Sequence, residues 1–380
     1  MAAGIGNHGN RRNLIMIGII GGYGEVGHHA CLTLQQYNIG PLKIGGRNPE
    51  KGKARQSDVL PGAIWEKVDV EDDKSLADFM VGCDLILNCA APSHRYSRRI
   101  AQICVQQGIH LVDAGTDNDY HSNPIDSGNQ IIVYAAGATP GFSGLFPVWF
   151  GKKFQKVHSL LSYYGTSGQL SRAGAEDYLE GSLHSNNIPR AAWRNGIVPN
   201  VLLRKSGVTL PFFPGEVTLF PLFDDETTIV AQRLELDYGE WYAAVEGEKS
   251  IAALDSASFE YRTNPEAMIE KLCFVVEMDT LGRSPYFILM VQLTGEKEDE
   301  EKVQTAIYEV GQIIPFCGKM AAVIVKTILD GKVKPGLHHT ASIEDTDYVM
   351  EHLEKTDSRH SIQIIDYSVE ELSVEEEGTL

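Results

Sequence analysis

The sequence predicts an α/β protein, a doubly wound parallel sheet followed by a second, α+β domain. Three observations carry that expectation. Short apolar, largely β-branched runs alternate with helical segments from Leu14 to Tyr134, the pattern of a parallel sheet covered by helices on both faces. The first run, Leu14–Ile20, leads at once into Gly22-x-Gly24-x-x-Gly27 and the helical His28–Gln36. At Ala136-Gly137-Ala138-Thr139-Pro140-Gly141-Phe142 the punctuation becomes that of a hinge, and beyond it the βαβ rhythm stops.

Element by element, Met1–Asn13 is expected to be a disordered lead. Strands are expected at Leu14–Ile20, Pro41–Gly45, Ala63–Val68, Asp84–Cys89, His110–Asp113 and Gln130–Tyr134, with helices from Glu25, near Lys74–Val81 and near Ser97–Gln107. After the hinge, Val157–Tyr164, Val217–Leu222, Thr228–Leu236, Leu272–Asp279 and Tyr286–Thr294 read as strands, the last two as a hairpin across Thr280–Pro285. The open face of their sheet is expected to cap the cleft left at the ends of the first-domain strands. Glu300–Val310 reads as helix and leads to Pro315; Lys319–Leu329 is a second helix, stopped at Asp330–Gly336 with Gly331 as its C-terminal cap. The tail from Ser368 holds five glutamates and no base and reads as a solvated, disordered end.

Composition narrows the function. The 380 residues carry a formal net charge of −18, which argues against DNA or an anionic membrane surface as partner, and no basic run exceeds Arg98-Arg99. The six cysteines contain no CxxC pair, so neither a disulfide framework nor a zinc site is expected. Met1–Arg12 lacks the apolar core of a signal peptide, and no stretch of about 20 residues is uniformly apolar. A cytoplasmic enzyme acting on a small molecule is the plain expectation, with no metal.

Ligands of such sheets sit at the carboxyl ends of the strands, so the residues just after each strand are the candidates. In Gly22-Tyr23-Gly24-Glu25-Val26-Gly27, Gly22 is expected to make the sharp turn, Gly24 to let a pyrophosphate reach bare backbone, and Gly27 to let the helix pack close to the strand. The helix N-terminus then offers N–H groups and the positive end of its dipole to phosphates. After the second strand, Gly45-Gly46-Arg47-Asn48 holds no carboxylate. A carboxylate there would accept from a ribose 2′-hydroxyl and repel a 2′-phosphate, whereas an arginine fork binds the phosphate. Arg47, assisted by Asn48 and Lys51, therefore selects NADP(H) over NAD(H) in this reading. Asp69 and Val70 sit where the adenine edge would lie, although Asp69 also suits a helix cap. The small residues of Cys89-Ala90-Ala91-Pro92 suit the nicotinamide ribose, and Asp113 points to the same crevice, either toward the nicotinamide or a cationic substrate or as a turn cap.

Other chemistries lack their motifs. No tyrosine has a lysine four residues on, and no P-loop, His-Glu-x-x-His or Gly-x-Ser-x-Gly occurs.

The segments Gly21–Gly27, Gly46-Arg47-Asn48-Pro49-Glu50-Lys51, Val68-Asp69-Val70-Glu71-Asp72, Asn88–Pro92 and Ala138–Ser143 together resemble the saccharopine dehydrogenase-like family, in particular its NADP-dependent saccharopine reductase branch. The resemblance is strong over the first 145 residues and diffuse to residue 355. It implies a Rossmann domain from residues 14–140 and 315–360, an inserted α+β substrate and dimerisation domain from 141–314, disordered tails at 1–13 and 368–380, and C-terminal helices that return to the Rossmann half. It also implies hydride reduction of an imine formed from an amino acid and an aldehyde or keto acid, by a homodimer. The chain is shorter than saccharopine reductases and carries Tyr164-Gly165-Thr166-Ser167-Gly168-Gln169 where they have a Gly-Gly-Leu-Pro-type loop, so a different imine or carbonyl of a biosynthetic pathway is expected.

For that reaction Arg172 and Arg194 are the candidate carboxylate forks, Asp113 or Asp177 would favour a cation, and Tyr178 would donate or relay a proton. Each also suits an ordinary surface or capping role. Two alternatives stand beside it: a carbonyl or enoyl reductase using Tyr120, Tyr178 or His121 as acid, and a silent NADPH-binding regulator.

Overall fold

The computed structural model describes residues 15–117, 119–184, 187–356 and 360–378. The expected lead, Met1–Asn13, lies outside them. The first half runs β1 (Ile17–Ile20), α1 (Glu25–Gln36), β2 (Leu42–Gly46), α2 (Pro49–Gln56), β3 (Ile64–Lys67), α3 (Asp73–Met80), β4 (Leu85–Asn88), α4 (Ser93–Gln107), β5 (His110–Asp113) and β6 (Ile131–Tyr134). Then come α5 (Phe142–Gly151), β7 (Lys156–Ser167), α6 (Arg172–His184), β8 (Ala192–Arg194), β9 (Ile197–Val198), β10 (Lys205–Val208), β11 (Val217–Pro221), α7 (Asp225–Arg233), β12 (Tyr238–Val245), α8 (Glu248–Thr263) and α9 (Pro265–Thr280). The chain closes with β13 (Tyr286–Lys297), β14 (Glu300–Val310), α10 (Ile313–Leu329), β15 (Gly336–His339), α11 (Thr346–Glu354), β16 (Ser361–Ile365) and α12 (Val369–Gly378).

The first sheet is parallel throughout, in the order β15-β6-β5-β4-β1-β2-β3. Every residue of β1, β4 and β6 is buried, as strands covered on both faces must be. The strand order reverses between β1 and β4, the switch point where such sheets leave a crevice. β15 extends this sheet from the far end of the chain. α10 packs on α1 so closely that a Cβ on Gly318 would lie 2.5 Å from the Val26 carbonyl oxygen and 2.7 Å from His29 Cβ. Gly318→Val is therefore expected to cost at least about 1–3 kcal/mol, read as a lower denaturation midpoint; an unchanged midpoint would contradict this crossing.

The second sheet runs β10-β11-β12-β7-β13-β14-β16, with β8 on β12 and β9 on β8. It is antiparallel except where β12 lies parallel to β7. Neither face is open. Leu160, Trp241, Phe287, Leu289 and Val291 join one core with α5 and α10, and Tyr163, Tyr242, Ile288 and Met290 pack under Leu202, Leu210, Phe213 and Val369.

Five expectations for this half are corrected. Thr228–Leu236 is not a strand but lies largely in α7: Asp224 and Thr227 form a capping box that starts a helix despite the β-branched run Thr227–Val230. Leu272–Asp279 is the second half of α9, which opens with Pro265 at its first turn and Asn264 accepting from the Ala267 N–H, and buries Met268, Ile269 and Leu272 on one helical face. The hairpin therefore does not cross Thr280–Pro285. It joins β13 to Glu300–Val310, which is a strand and not a helix, through Glu298 and Asp299, whose φ angles are 55° and 62°. Both central residues are left-handed, as a two-residue hairpin turn requires, but neither is the glycine or asparagine that usually signals it. Finally, the tail from Ser368 is helical over Val369–Gly378. Ser368 and Glu371 cap each other, and Val369 and Leu372 are buried while Glu370 and Glu371 are exposed, so the helix is docked by one face.

Candidate functional site

The crevice at the switch point starts with the turn after β1. The left-handed residue is Gly21 (φ +74°), one position before the glycine expected to make the turn; Gly21 and Gly22 both donate to the Gly45 carbonyl. Gly22 and Gly27 are bare for reasons internal to the protein. A Cβ on Gly22 would meet Ile44 at 2.8 Å, and one on Gly27 would meet the Gly21 carbonyl oxygen at 2.3 Å. Gly24 differs. It is exposed, its φ of −73° and ψ of 177° suit any residue, and a Cβ would meet only the Gly21 oxygen, at 3.1 Å. No side chain caps α1 at Gly24, so the first N–H groups of the helix face the crevice beside a bare, open position. That cradle fits a pyrophosphate.

Tyr23 braces this loop against the next. Its hydroxyl accepts from the Asn48 N–H at 2.6 Å, and its ring covers Gly46 and Gly52, where a Cβ would come within 2.4 and 2.5 Å of it. Asn48 caps α2, accepting from the Lys51 N–H at 3.2 Å. Arg47 is exposed and makes no hydrogen bond or ion pair with the described residues. Asp69 shapes its own turn by accepting from the Glu71 N–H at 3.0 Å, and Asp72 is the cap of α3. Val70 is half-buried against the core beneath α3 and α4.

Cys89–Pro92 runs beside the turn: the Cys89 carbonyl oxygen lies where a Gly21 Cβ would be, 2.9 Å away. Burial holds the Cys89 thiol well above its ordinary value, which suits packing and not nucleophilic attack. Asp113 is fully buried. Its oxygens accept from Asn88 Nδ2 at 3.0 Å and the Gly115 N–H at 2.9 Å, and burial pushes the carboxyl up to about 6. It braces the ends of β4 and β5 and caps the turn to Gly115.

The residues expected to hold substrate separate into two groups. Asp177 reaches the crevice, where its Oδ1 accepts from the Ser93 N–H at 2.7 Å and the Ser93 hydroxyl at 2.9 Å. Around it, His94 stands 3.3 Å from Glu180 and Arg95 reaches Glu176 at 3.3 Å, so α6 is clamped to the N-terminus of α4. A carboxylate at that helix end is electrostatically favoured. Tyr178, 46% exposed, extends from the same helix. Arg172 instead pairs with Glu266 and Glu270 of α9. Arg194 lies over the Tyr238 ring, in register with Ser159 of β7, five residues or about 17 Å along the strand from Tyr164. Neither arginine is among the residues lining the cavity described next. Tyr120, a candidate acid for a carbonyl reductase, is buried with its ring 4.7 Å from that of Tyr134, and His121 is exposed.

That cavity lies between the hinge and the second sheet. Thr139 and Ser143, Ser162 and Tyr164, Glu226 and Trp241 contribute to the wall of this narrow void, whose volume of about 20 Å³ is on the scale of one water. Glu226 is its most unusual group. The carboxylate accepts from the Gly141 N–H and the Ser143 hydroxyl, and burial followed by the neighbouring Asp224 pushes it up to about 8. His339, at the end of β15, stands 3.6 Å from it and is held down at about 3 by burial. Sequence reading passed over both. The signals were present, in three consecutive carboxylates Asp224-Asp225-Glu226 and in the pair His338-His339, but only the fold brings them to the hinge. Among the described residues no group of His, Cys, Asp and Glu is placed to hold a metal, and no helix is long and apolar enough to cross a membrane.

Residues 14–133 match the family described as saccharopine dehydrogenase NADP binding domain. No curated protein matches the chain. Among solved structures, the apo histidine-tagged saccharopine dehydrogenase (L-Glu forming) from Saccharomyces cerevisiae is 14% identical, with a TM-score of 0.69 over 93% of this chain and 100% of that one, which shows a shared fold. A DAP dehydrogenase of C. glutamicum in complex with DAP is 13% identical, with a TM-score of 0.45 over 89% of this chain and 95% of that one. An engineered D-amino acid dehydrogenase is 12% identical, with a TM-score of 0.44 over 88% and 96%. The last two are too distant to add to the argument. The cofactor that follows from the domain is NADP(H).

Proposed function

Because the chain belongs to the saccharopine dehydrogenase-like family of NADP-binding oxidoreductases, we propose that it uses NADPH to reduce the C=N bond of an amino-acid-derived substrate. The observation that carries this reading is the crevice after β1, where the open position at Gly24 and the uncapped first N–H groups of α1 form a cradle suited to a pyrophosphate. At that crevice the Asp177 carboxylate, held on the Ser93 N–H and hydroxyl, would favour a cationic iminium over a neutral carbonyl. Residues 14–140 and 315–360 form the cofactor half of this reading and 141–314 the substrate half. The turn Gly21–Gly27 would hold the pyrophosphate, Arg47 the 2′-phosphate and Cys89–Pro92 the nicotinamide ribose. The bound cofactor supplies the reducing equivalent. The chain's own contribution is to position the substrate against it, to exclude water at the clamp of α6 on α4, and to stabilise charge at the crevice. Exposed Phe259, Phe274 and Leu281 on α8, α9 and the turn after it supply the apolar surface for a homodimer within the same proposal.

The test is an NADPH-oxidation screen pairing amino acids and amines with aldehydes and keto acids. Imine pairs are expected to be turned over and the parent carbonyl compounds, alone at neutral pH, are not. Reduction of carbonyl or enoyl compounds without amine would favour the alternative reductase, and tight NADPH binding with no oxidation across the panel would favour a regulator.

A further inference from the structure

We propose that α6, α8 and α9 form a hinged lid over the crevice, latched shut where α6 meets the first turn of α4. Release of the latch admits and discharges the cofactor, a role that rests on the reading of the crevice given above. The three helices have a core of their own. Ala175 and Leu179 of α6, Ala253 and Tyr261 of α8, and Met268 and Leu272 of α9 bury one another, and every residue of this cluster falls within 170–276. None of the three helices contributes to the cores beneath the two sheets. Such a group moves as one piece, because displacing it breaks none of its own apolar contacts. Its connections are built for that motion. The crossings that lie wholly within the described residues each pass through a left-handed glycine: Gly168 between β7 and α6 (φ 145°), Gly247 between β12 and α8 (φ 88°) and Gly282 between α9 and β13 (φ 75°). Glycine at such points absorbs the backbone rotation of a hinge.

What holds the lid to the first half is polar. Asp177 Oδ1 accepts from the Ser93 N–H and hydroxyl, at 2.7 and 2.9 Å. The His94 ring stands between Asp177 and Glu180, 3.5 Å from one and 3.3 Å from the other, and Arg95 reaches Glu176 at 3.3 Å. Spacing along α6 puts Glu176 and Glu180 on one face, one turn apart, with Asp177 beside them. Tyr261 of α8 donates to Glu180 at 2.8 Å, which ties the latch into the body of the lid. Ser93 follows Pro92 directly, so the latch closes beside the segment assigned to the nicotinamide ribose. A further ion pair, Arg204 with Asp255, joins α8 to the residue before β10, and it is solvent-exposed. Polar contacts at a rim exchange with water at little cost, whereas the apolar core inside the lid does not, so separation falls at the latch.

Glu180→Gln and His94→Gln loosen the latch from its two sides, and the first keeps an acceptor for the Tyr261 hydroxyl. In the protein without ligand, each is expected to speed hydrogen exchange at the Ser93 amide about fivefold, the effect of one partly buried ion pair. Exchange inside α8 and α9 should stay at the parent rate, since the lid moves as one piece. The double variant should do little more than either single one, because both remove the same contact. Stopped-flow displacement should show NADPH leaving both variants faster by a similar factor. Unchanged exchange at Ser93 in both variants would make the clamp a static buttress. Faster exchange throughout α8 and α9 would mean local unfolding in place of a swing. Either result overturns the lid. Faster exchange at Ser93 with unchanged NADPH release overturns its part in cofactor exchange. A parent that binds no NADPH overturns the reading of the crevice, while exchange at Ser93, measured without ligand, still decides the lid.

Discussion

Replacing Gly24 by valine is expected to abolish NADP(H) binding while leaving the fold intact. The two halves of that expectation have separate grounds. The backbone at Gly24 is ordinary, and a Cβ meets only the Gly21 oxygen at 3.1 Å, so the free protein accommodates a side chain with a shift of a few tenths of an ångström. The isopropyl group would then occupy the space through which a pyrophosphate reaches the first N–H groups of α1. Losing two charge-assisted hydrogen bonds of about 1.5–3 kcal/mol each weakens binding by more than roughly a hundredfold. Gly27 is the control, because a Cβ there would lie 2.3 Å from the Gly21 oxygen, so Gly27→Val should disturb the fold itself. The measurement is an NADPH fluorescence titration on Gly24→Val beside its circular dichroism. A folded variant that binds as tightly as the parent would move the pyrophosphate out of this turn.

The second large effect concerns cofactor choice. Arg47→Ala is expected to weaken NADPH binding about ten- to a hundredfold, the loss of one charge-assisted contact of about 1.5–3 kcal/mol, and to leave NADH nearly untouched. Arg47 follows β2, where the adenosine ribose of such a sheet lies, and its guanidinium has no partner among the described residues. Its neighbours are already committed, with Asn48 capping α2 and the Tyr23 hydroxyl accepting the Asn48 N–H. Lysine at the position should restore only part of the preference, since an ammonium cannot reproduce the planar fork. Salt should weaken NADPH more than NADH, because the contact is exposed and screened. Paired titrations with the two cofactors on parent and variant decide it; a parent that binds NADH equally well ends the assignment.

The parallel sheet and its cofactor turn were legible because their causes are local. β1, β4 and β6 are short, wholly apolar or nearly so, and buried on both faces, which leaves a continuous hydrophobic run. The glycine turn was legible too, although the structure moves the left-handed residue to Gly21 and leaves Gly24 as an open position, where a Cβ would meet only the Gly21 oxygen. In the second half the local signals were ambiguous. Thr227-Thr228-Ile229-Val230 has the β-branched composition of a strand, and Asp224's cap turned it into a helix. Glu300–Val310 has the charge of a helix face, and pairing with β13 on one side and β16 on the other made it a strand.

The site divides along the same line. The turn Gly21 to Gly27 and the loop carrying Arg47 were determined in conformation by the sequence alone, since a few consecutive residues contain their geometry. Arg172 and Arg194 had the right chemistry for a carboxylate, yet α9 and Tyr238 claim them. Glu226 and His339 lie far apart in the chain, and only the addition of β15 to the first sheet and the packing of α7 on α5 bring them within 3.6 Å at the hinge. Which carboxylate is buried, and hence which one can hold a proton, depends on the desolvation that every surrounding element contributes, and no local run of residues encodes that sum.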